Sequence, residues 1–308
     1  MISLKQLHYA LAVEKTLHFK KAAEACNVSQ SALSTAINEL EKQLGVTLFE
    51  RNNKQVLVTN KGQLILAKAK QVKLEVDELL QIANANLQPF SNGMTIGVIP
   101  TIGPYLLPKV LPDLRKQYPD FKLKIIEEQS HVLVDMVRSG DIDAAILALP
   151  YAIDGLMQFE FWQEDFYWVS HKDECPSQMK EITSEQLSAE KLMLLKEGHC
   201  LKDHALAACS LQNNKQESDF DSASLHTLIQ MVAGKLGTTL VPQMALDQLI
   251  YSESELRAIH LNEPGPHRKI SLIIRPNYVR TDEITLLKDI FKAQLTKKVS
   301  TKNSRLQG

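Results

Sequence analysis

Apolar residues recur at helical spacing in the first fifty residues and predict three helices. The first follows Ser3, which forms a capping box with Gln6. A short second helix starts near Phe19, and Asn27 and Ser29 supply the turn and the cap before the third. Helix, short helix, tight turn and helix in this order are the plan of a helix-turn-helix domain.

The third predicted helix has one apolar face and one polar, uncharged face. The apolar side chains are Leu33, Ala36, Ile37, Leu40 and Leu44. The polar side chains, together with the capping residue, are Ser29, Gln30, Ser31, Ser34, Thr35 and Asn38. Such short donors and acceptors suit base edges and phosphates in a DNA major groove. A solvated surface is the commoner explanation of one such stripe, but the order of the helices favours DNA binding.

Two short apolar-rich segments on either side of residues 52–54 predict a hairpin, or wing. Arg51 and Lys54 stand at its tip, where they can reach phosphates or a minor groove.

A heptad pattern over residues 59–87 predicts a long helix before a hinge at residues 89–93. Its apolar seam is Ile65, Ala69, Val72, Val76, Leu79 and Ala83. A helix of roughly 40 Å is too long to pack only against its own small domain, so we expect a dimer that presents two recognition helices to DNA.

Beyond the hinge, short apolar runs alternate with helical stretches, which is typical of parallel α/β sheets. The length of this region favours two sheets in two lobes. The predicted strands are Met94–Pro100, Leu123–Glu127, Ala144–Leu149, Phe166–Ser170, Leu192–Leu195, Thr238–Val241 and Ile270–Ile274. Ligands in such folds bind at the carboxyl ends of strands, between the lobes. Thr101 and Ser130 follow the first two strands and are expected there, with helix capping as an equal alternative.

The reactive chemistry concentrates around Cys200. His199, Lys202 and His204 place cationic or polar groups near this thiol and are expected to favour the thiolate, which attacks O–O bonds. The resulting sulfenic acid can condense with a second thiol, and Cys209 lies nine residues further on. Metal binding is the competing interpretation, although the spacing fits no standard zinc pattern. Its ligands would be His199, Cys200, Asp203, His204 and Cys209.

Residues 201–208 read as a helix, and this matters for the two thiols. Nine residues of helix separate the Cα atoms of Cys200 and Cys209 by roughly 13 Å, on opposite faces. Because a disulfide tolerates at most about 7 Å, bridging the two cysteines would unfold the helix. Oxidation would then act as a conformational switch, provided that the stretch is helical when reduced.

Composition and charge indicate which part of the chain meets a polyanion and in which compartment the chain is expected. The 308 residues carry a formal net charge of −1, yet the first 66 hold eight Lys and Arg against five Glu, so only this part is expected to meet a polyanion. With four cysteines and no visible export or membrane segment, we expect the chain in the reducing cytoplasm. Cys26 and Cys175 are expected to be inert core residues.

The N-terminal pattern resembles that of the LysR-type transcriptional regulators. The residues that carry the likeness are Phe19, Ala22, Ala23, Val28-Ser29-Gln30, Ala32-Leu33-Ser34, Ile37, Leu40-Glu41, Leu44-Gly45-Val46, Leu48-Phe49, Arg51, Thr59 and Gly62. Ser31, Thr35 and Asn38 depart from residues common in the family, so the resemblance does not imply a particular operator sequence.

Further segments resemble the peroxide-sensing members of this family. They are residues 195–203 with Cys209, residues 98–108 and residues 237–242. The resemblance implies that Cys200 is the peroxidatic thiol and Cys209 the resolving thiol. It also implies a peroxide-binding set, in which Ser130 replaces the more usual Thr and Arg275 is a nearby alternative to the arginine. That set is Thr101, Ser130, His199, Asp203 and Arg268.

We therefore predict a multidomain α/β protein: a winged helix-turn-helix domain, a linker helix and a two-lobed regulatory domain like that of periplasmic binding proteins. The expected boundaries are 1–58, 59–88, a hinge at 89–93, 94–300 (lobes 94–163 plus 269–300, and 164–268) and a tail at 301–308. The expected function is a peroxide-responsive activator of transcription without enzyme activity, metal or cofactor.

The expected partners are an operator in double-stranded DNA, hydrogen peroxide, RNA polymerase, a thiol reductant and further copies of the chain, as a dimer of dimers. Two alternatives stay open: a metabolite in the cleft with incidental cysteines, and a thiol peroxidase with an accessory DNA-binding domain.

Overall fold

The computed structural model describes residues 1–51, 55–83, 88–187, 191–196, 200–209, 224–250 and 255–305. The chain divides into two compact units, Met1–Leu87 and Gln88–Gly308.

The first unit is a helical domain with a small hairpin. Its elements are α1 (Leu4–Thr16), α2 (Phe19–Ala25), α3 (Gln30–Leu44), β1 (Phe49–Arg51), β2 (Val56–Val58) and α4 (Asn60–Ala83). The capping box of Ser3 and Gln6 is present, and the Ser29 hydroxyl accepts a hydrogen bond from the Ala32 N–H. The apolar face of α3 packs into the core of this unit, which confirms the predicted helix order and orientation.

The apolar side chains of helix α4 are buried in one part of the helix and exposed in another. Leu66 and Ala69 are buried, and Leu66 packs into the core of its own unit. Val72, Leu79 and Leu80 lie further on and are exposed. Within the predicted seam, Ile65 and Ala69 therefore face their own domain, whereas Val72 and Leu79 face solvent. The predicted end of the helix, residues 84–87, lies outside the described residues.

The second unit is an α/β structure with two sheets. Its elements are β3 (Met94–Val98), α5 (Gly103–Gln117), β4 (Leu123–Glu127), α6 (Ser130–Ser139), β5 (Ala144–Leu149), β6 (Met157–Glu164), β7 (Phe166–His171), β8 (Glu181–Ile182), α7 (Cys200–Ala208), α8 (Leu225–Ala233), β9 (Thr239–Pro242), α9 (Leu246–Leu249), β10 (Leu256–Leu261), β11 (Arg268–Ile274) and α10 (Thr281–Arg305).

Both sheets contain antiparallel as well as parallel pairs, so the prediction of parallel sheets needs correction. In the first sheet, of order β4-β3-β5-β11-β6, β3 is parallel to β4 and β5, whereas β11 is antiparallel to β5 and β6. In the second sheet, of order β8-β10-β7-β9, the pairs of β7 with β9 and β10 are antiparallel. The chain passes from the first sheet to the second after β6 and returns to the first sheet in β11. Because β11 is antiparallel to its neighbours, this return needs no crossover helix.

Other sequence predictions also need correction. Strands β6, β8 and β10 were not predicted, and residues 192–195 form isolated bridges, such as the one between Leu192 and Thr238, rather than a strand. Helix α10 continues through Arg305, into the segment that was predicted as a tail at 301–308. Its apolar side chains pack on the first sheet, for example Phe291 edge-on against Phe161.

Candidate redox site

A buried ion pair lies where the first sheet meets the connection between the lobes. Arg268 begins β11 and is the cross-strand partner of Glu164, the last residue of β6. The Arg268 Nε–H donates to Glu164 Oε1 at 2.6 Å, and both side chains are fully buried. The guanidinium also donates to Thr101, at 3.4 Å to Oγ1 and 3.2 Å to the carbonyl. Thr101 lies just after β3, as predicted.

Cys200 lies beside this group. It is the first residue of α7 and is 4% exposed. The buried Ser130, the first residue of α6, hydrogen-bonds to the thiol through its side chain, and the charges of Arg268 and Asp203 act on it. The structure thus brings Thr101, Ser130, Cys200 and Arg268 together, although they lie far apart in the sequence.

The net effect of this environment on the thiol differs from the sequence-based expectation. Burial raises the pKa of Cys200, and this outweighs the lowering by the Ser130 hydrogen bond and by Arg268. Asp203 raises the pKa further. The predicted stabilisation by sequence neighbours is therefore wrong in its net direction, because residue spacing does not reveal desolvation.

The second thiol is also buried, and its pKa is also raised. Cys209 is 3% exposed, and burial, with a smaller contribution from Glu263, raises its pKa to about 11. Both cysteines are free. Helix α7 spans Cys200–Ala208, which confirms the predicted helix between them.

His204 fastens α7 to the neighbouring lobe. It lies four residues after Cys200, is 3% exposed, and its Nε2 is 2.8 Å from the carbonyl oxygen of Pro150, just after β5. Within the described residues its Nδ1 has no hydrogen-bond partner. Burial lowers the pKa of His204, so the imidazole is neutral when the helix is docked.

The structure gives a different outcome for each of the remaining candidate residues. Asp203 is exposed on α7, and His199 lies outside the described residues. Arg275 donates to the carbonyl oxygens of Val137 and Ile142, so Arg268 is the arginine of this site. Within the described residues, no group of three or more His, Cys, Asp or Glu side chains is arranged to hold a metal ion.

Glu164 was missed by the sequence predictions. It ends a half-exposed edge strand whose alternating pattern gives no sign of a buried carboxylate. The sequence offered only an indirect signal. If Arg268 is buried, it needs a counter-charge, so an acidic side chain had to lie beside it.

The polar face of α3 in the first unit is largely exposed, and Ser29 and Ser31 are hydrogen-bonded to each other. Arg51 does not extend from the hairpin tip. Its guanidinium lies 4.2 Å from the Phe19 ring centre and donates to Ser34 Oγ and Asn38 Oδ1. It therefore joins the polar face of α3, beside the exposed Gln30 and Thr35. Lys54 lies outside the described residues.

Two family models match the chain. Residues 4–63 match the bacterial regulatory helix-turn-helix protein of the lysR family, and residues 88–296 match the LysR substrate binding domain. The chain belongs to the LysR family of transcriptional regulators. Among the helices of the described residues, none is long and apolar enough to cross a membrane.

Individual LysR-family relatives are similar over most of the chain. The transcriptional regulator EstR of Acinetobacter baylyi is 34% identical, covering 94% of this chain and 96% of the relative. A probable hydrogen peroxide-inducible genes activator of Streptomyces viridosporus is 38% identical, covering 91% and 90%. A full-length OxyR variant from Pseudomonas aeruginosa has a TM-score of 0.81 and 33% identity, covering 95% of both chains. The predicted resemblance to peroxide-sensing members of the LysR family is confirmed.

The buried His204 generates a pH prediction for this LysR-type regulator. Its pKa is depressed below 6.5 in the docked helix, so an undocked or unfolded state binds the proton more readily. His204 therefore does not reduce the free energy of unfolding above about pH 6.5. As the pH is lowered from there towards the depressed pKa, the contribution of His204 lowers this free energy by about 1.4 kcal/mol per unit of depression. Urea unfolding at pH 7 and pH 5 measures this difference.

His204→Gln keeps an N–H donor for Pro150 without a group that titrates in this range, so it should lose this part of the acid dependence. His131→Gln replaces an exposed histidine on α6 and is the matched control. Equal acid dependence in wild type and His204→Gln would contradict the prediction.

Proposed function

We propose that this chain is a peroxide-responsive transcription activator, with Cys200 as its peroxidatic thiol and Cys209 as its resolving thiol. The observation that carries the proposal is the position of Cys200: it lies next to Ser130 and the Thr101–Arg268 group, at one end of a helix that leads to Cys209.

The first step is the attack of the Cys200 thiolate on one peroxide oxygen. A bond forms between sulfur and oxygen, the O–O bond breaks, and the departing hydroxide takes up a proton. Cys200 becomes a sulfenic acid. Hydrogen bonds and positive charge from Ser130, Thr101 and Arg268 stabilise the charge that develops on the departing oxygen.

Two further residues are assigned supporting roles. Asp203 is exposed on the first turn of α7 and can exchange protons with solvent near the thiol. His199 immediately precedes Cys200 in the sequence, and we assign it to peroxide binding on the family resemblance alone.

The second step couples chemistry to conformation. Cys209 attacks the sulfur of the Cys200 sulfenic acid, the disulfide forms and water leaves. Because α7 holds the two Cα atoms roughly 13 Å apart, the helix must unwind first. Unwinding breaks the His204–Pro150 hydrogen bond and uncovers Leu201 and Ala205, which are buried. The oxidised chain consequently has a different surface.

The first unit carries the DNA-binding part of the proposal. The exposed side chains of α3 and Arg51 face one way as a short recognition surface for a double-stranded operator. The exposed Val72, Leu79 and Leu80 of α4 support pairing with a second copy. The proposal also includes a dimer of dimers, contact with RNA polymerase, reset by a thiol reductant and action in the cytoplasm.

Metabolite sensing with incidental cysteines is the second candidate function, favoured by the match of residues 88–296 to the LysR substrate binding domain. It predicts a regulatory response that survives replacement of Cys200. A thiol peroxidase activity would require catalytic consumption of peroxide, whereas the proposed switch consumes it stoichiometrically.

Mass spectrometry of the reduced protein after stoichiometric peroxide tests the redox proposal. We expect a rapid loss of two hydrogens that maps to Cys200 and Cys209. Cys209→Ser should accumulate a sulfenic acid on Cys200, and Cys200→Ser should react no faster than a free thiol. Cys26 serves as an internal control. If Cys200 reacts no faster than Cys26, metabolite sensing becomes the better assignment.

Arg51→Ala tests the DNA-binding surface. If the guanidinium contacts a phosphate, binding to any duplex weakens, and the slope of log affinity against log salt becomes shallower by about 0.9. Lys172→Ala, which changes an exposed lysine of the second unit, is the control. Unchanged affinity and slope in Arg51→Ala would exclude a phosphate contact by Arg51.

A further inference from the structure

We infer that Glu164 is a positioning residue for peroxide chemistry at Cys200, because it fixes the orientation of the Arg268 guanidinium through their buried ion pair. The inference rests on the proposed function. It assigns to Glu164 no contact with peroxide or sulfur, and all of its influence passes through Arg268.

The contacts of Arg268 define one plane for its guanidinium. Its Nε–H is held by Glu164 at 2.6 Å, and its two terminal nitrogens donate to Thr101. A guanidinium is flat and rigid, so a bond at Nε fixes the direction of the other donors. Without Glu164, the remaining described contacts of Arg268 are the two with Thr101, at 3.4 Å and 3.2 Å, which are longer and weaker.

Glu164 is itself held firmly. Its second oxygen, Oε2, accepts the Met244 N–H at 2.7 Å. Met244 lies in the short turn after β9, and its carbonyl oxygen accepts a hydrogen bond from Lys109 of α5 at 3.0 Å. Both carboxylate oxygens are therefore occupied from different directions, and the side chain cannot rotate without breaking a buried hydrogen bond.

Charge balance gives Glu164 a second reason to be present. A buried guanidinium without a counter-charge is strongly unfavourable, and it would tend to move towards water. With the carboxylate paired to it, Arg268 stays 1% exposed and keeps its place beside Thr101 and Cys200. The sequence separates the two partners by more than one hundred residues, but β6 and β11 place them opposite each other.

The test compares two reactions of the same thiol. In full-length protein carrying Cys209→Ser, the rate of Cys200 oxidation by hydrogen peroxide is divided by its rate of alkylation by iodoacetamide at the same pH. This ratio cancels the thiolate fraction, and the absolute alkylation rate, recorded in the same experiment, reports any change in the accessibility of the thiol. Stabilisation of the departing oxygen affects only the peroxide reaction.

We expect Glu164→Gln and Arg268→Met each to lower the ratio by about tenfold or more; the loss of one transition-state donor typically costs about 10²–10³-fold in rate. The double variant should show no further decrease, because Glu164 acts only through Arg268. Glu164→Asp keeps the charge on a shorter side chain and should give an intermediate ratio.

An unchanged ratio in folded Glu164→Gln, or losses that multiply in the double variant, would overturn the inference. If Glu164→Gln does not fold, a wild-type ratio in Glu164→Asp overturns it, and so does the failure of both variants to fold. Failure of the proposed function is separate: Cys200 in the parent protein would then react with peroxide no faster than Cys26.

Discussion

Helix α7 and a Cys200–Cys209 disulfide cannot exist together. The helix spans Cys200–Ala208 and keeps the Cα atoms of Cys200 and Cys209 roughly 13 Å apart, whereas a disulfide allows about 7 Å. The reduced fold depends on this separation: Cys200, Leu201, His204, Ala205 and Cys209 are all buried while the helix is intact. A Cys200–Cys209 disulfide would therefore change which apolar surface the second unit exposes, so that a chemical event would have a structural consequence.

The environment of Cys200 combines two opposed requirements. Burial makes the resting thiol a weak nucleophile, because desolvation raises its pKa. Ser130 and Arg268 lower that pKa and stabilise negative charge at the same place. Because Glu164 neutralises Arg268, the guanidinium can stay inside the protein, next to the thiol, while the pair as a whole carries no net charge. Such a site suits selective reaction with a small, neutral oxidant better than general thiol reactivity.

Local patterns predicted most of the elements and few of the long-range pairings. Ala144–Leu149 was predicted with the bounds that the structure has, because it is a continuous apolar run. Strand β6 was missed because an edge strand with one solvated face has no such run. Thr101 and Ser130 were expected at strand ends, and the structure places them there. Glu164 and the raised pKa of Cys200 depend on burial and on cross-strand contacts, which residue spacing does not encode.

Hydrogen exchange of the α7 amides tests the central claim most directly. In the reduced full-length protein these amides should be protected, and after stoichiometric peroxide they should lose protection as the disulfide forms. The Cys209→Ser protein, treated identically, should keep its protection while Cys200 carries a sulfenic acid. A Cys200–Cys209 disulfide with α7 still protected would contradict the account, and so would loss of protection in the Cys209→Ser protein.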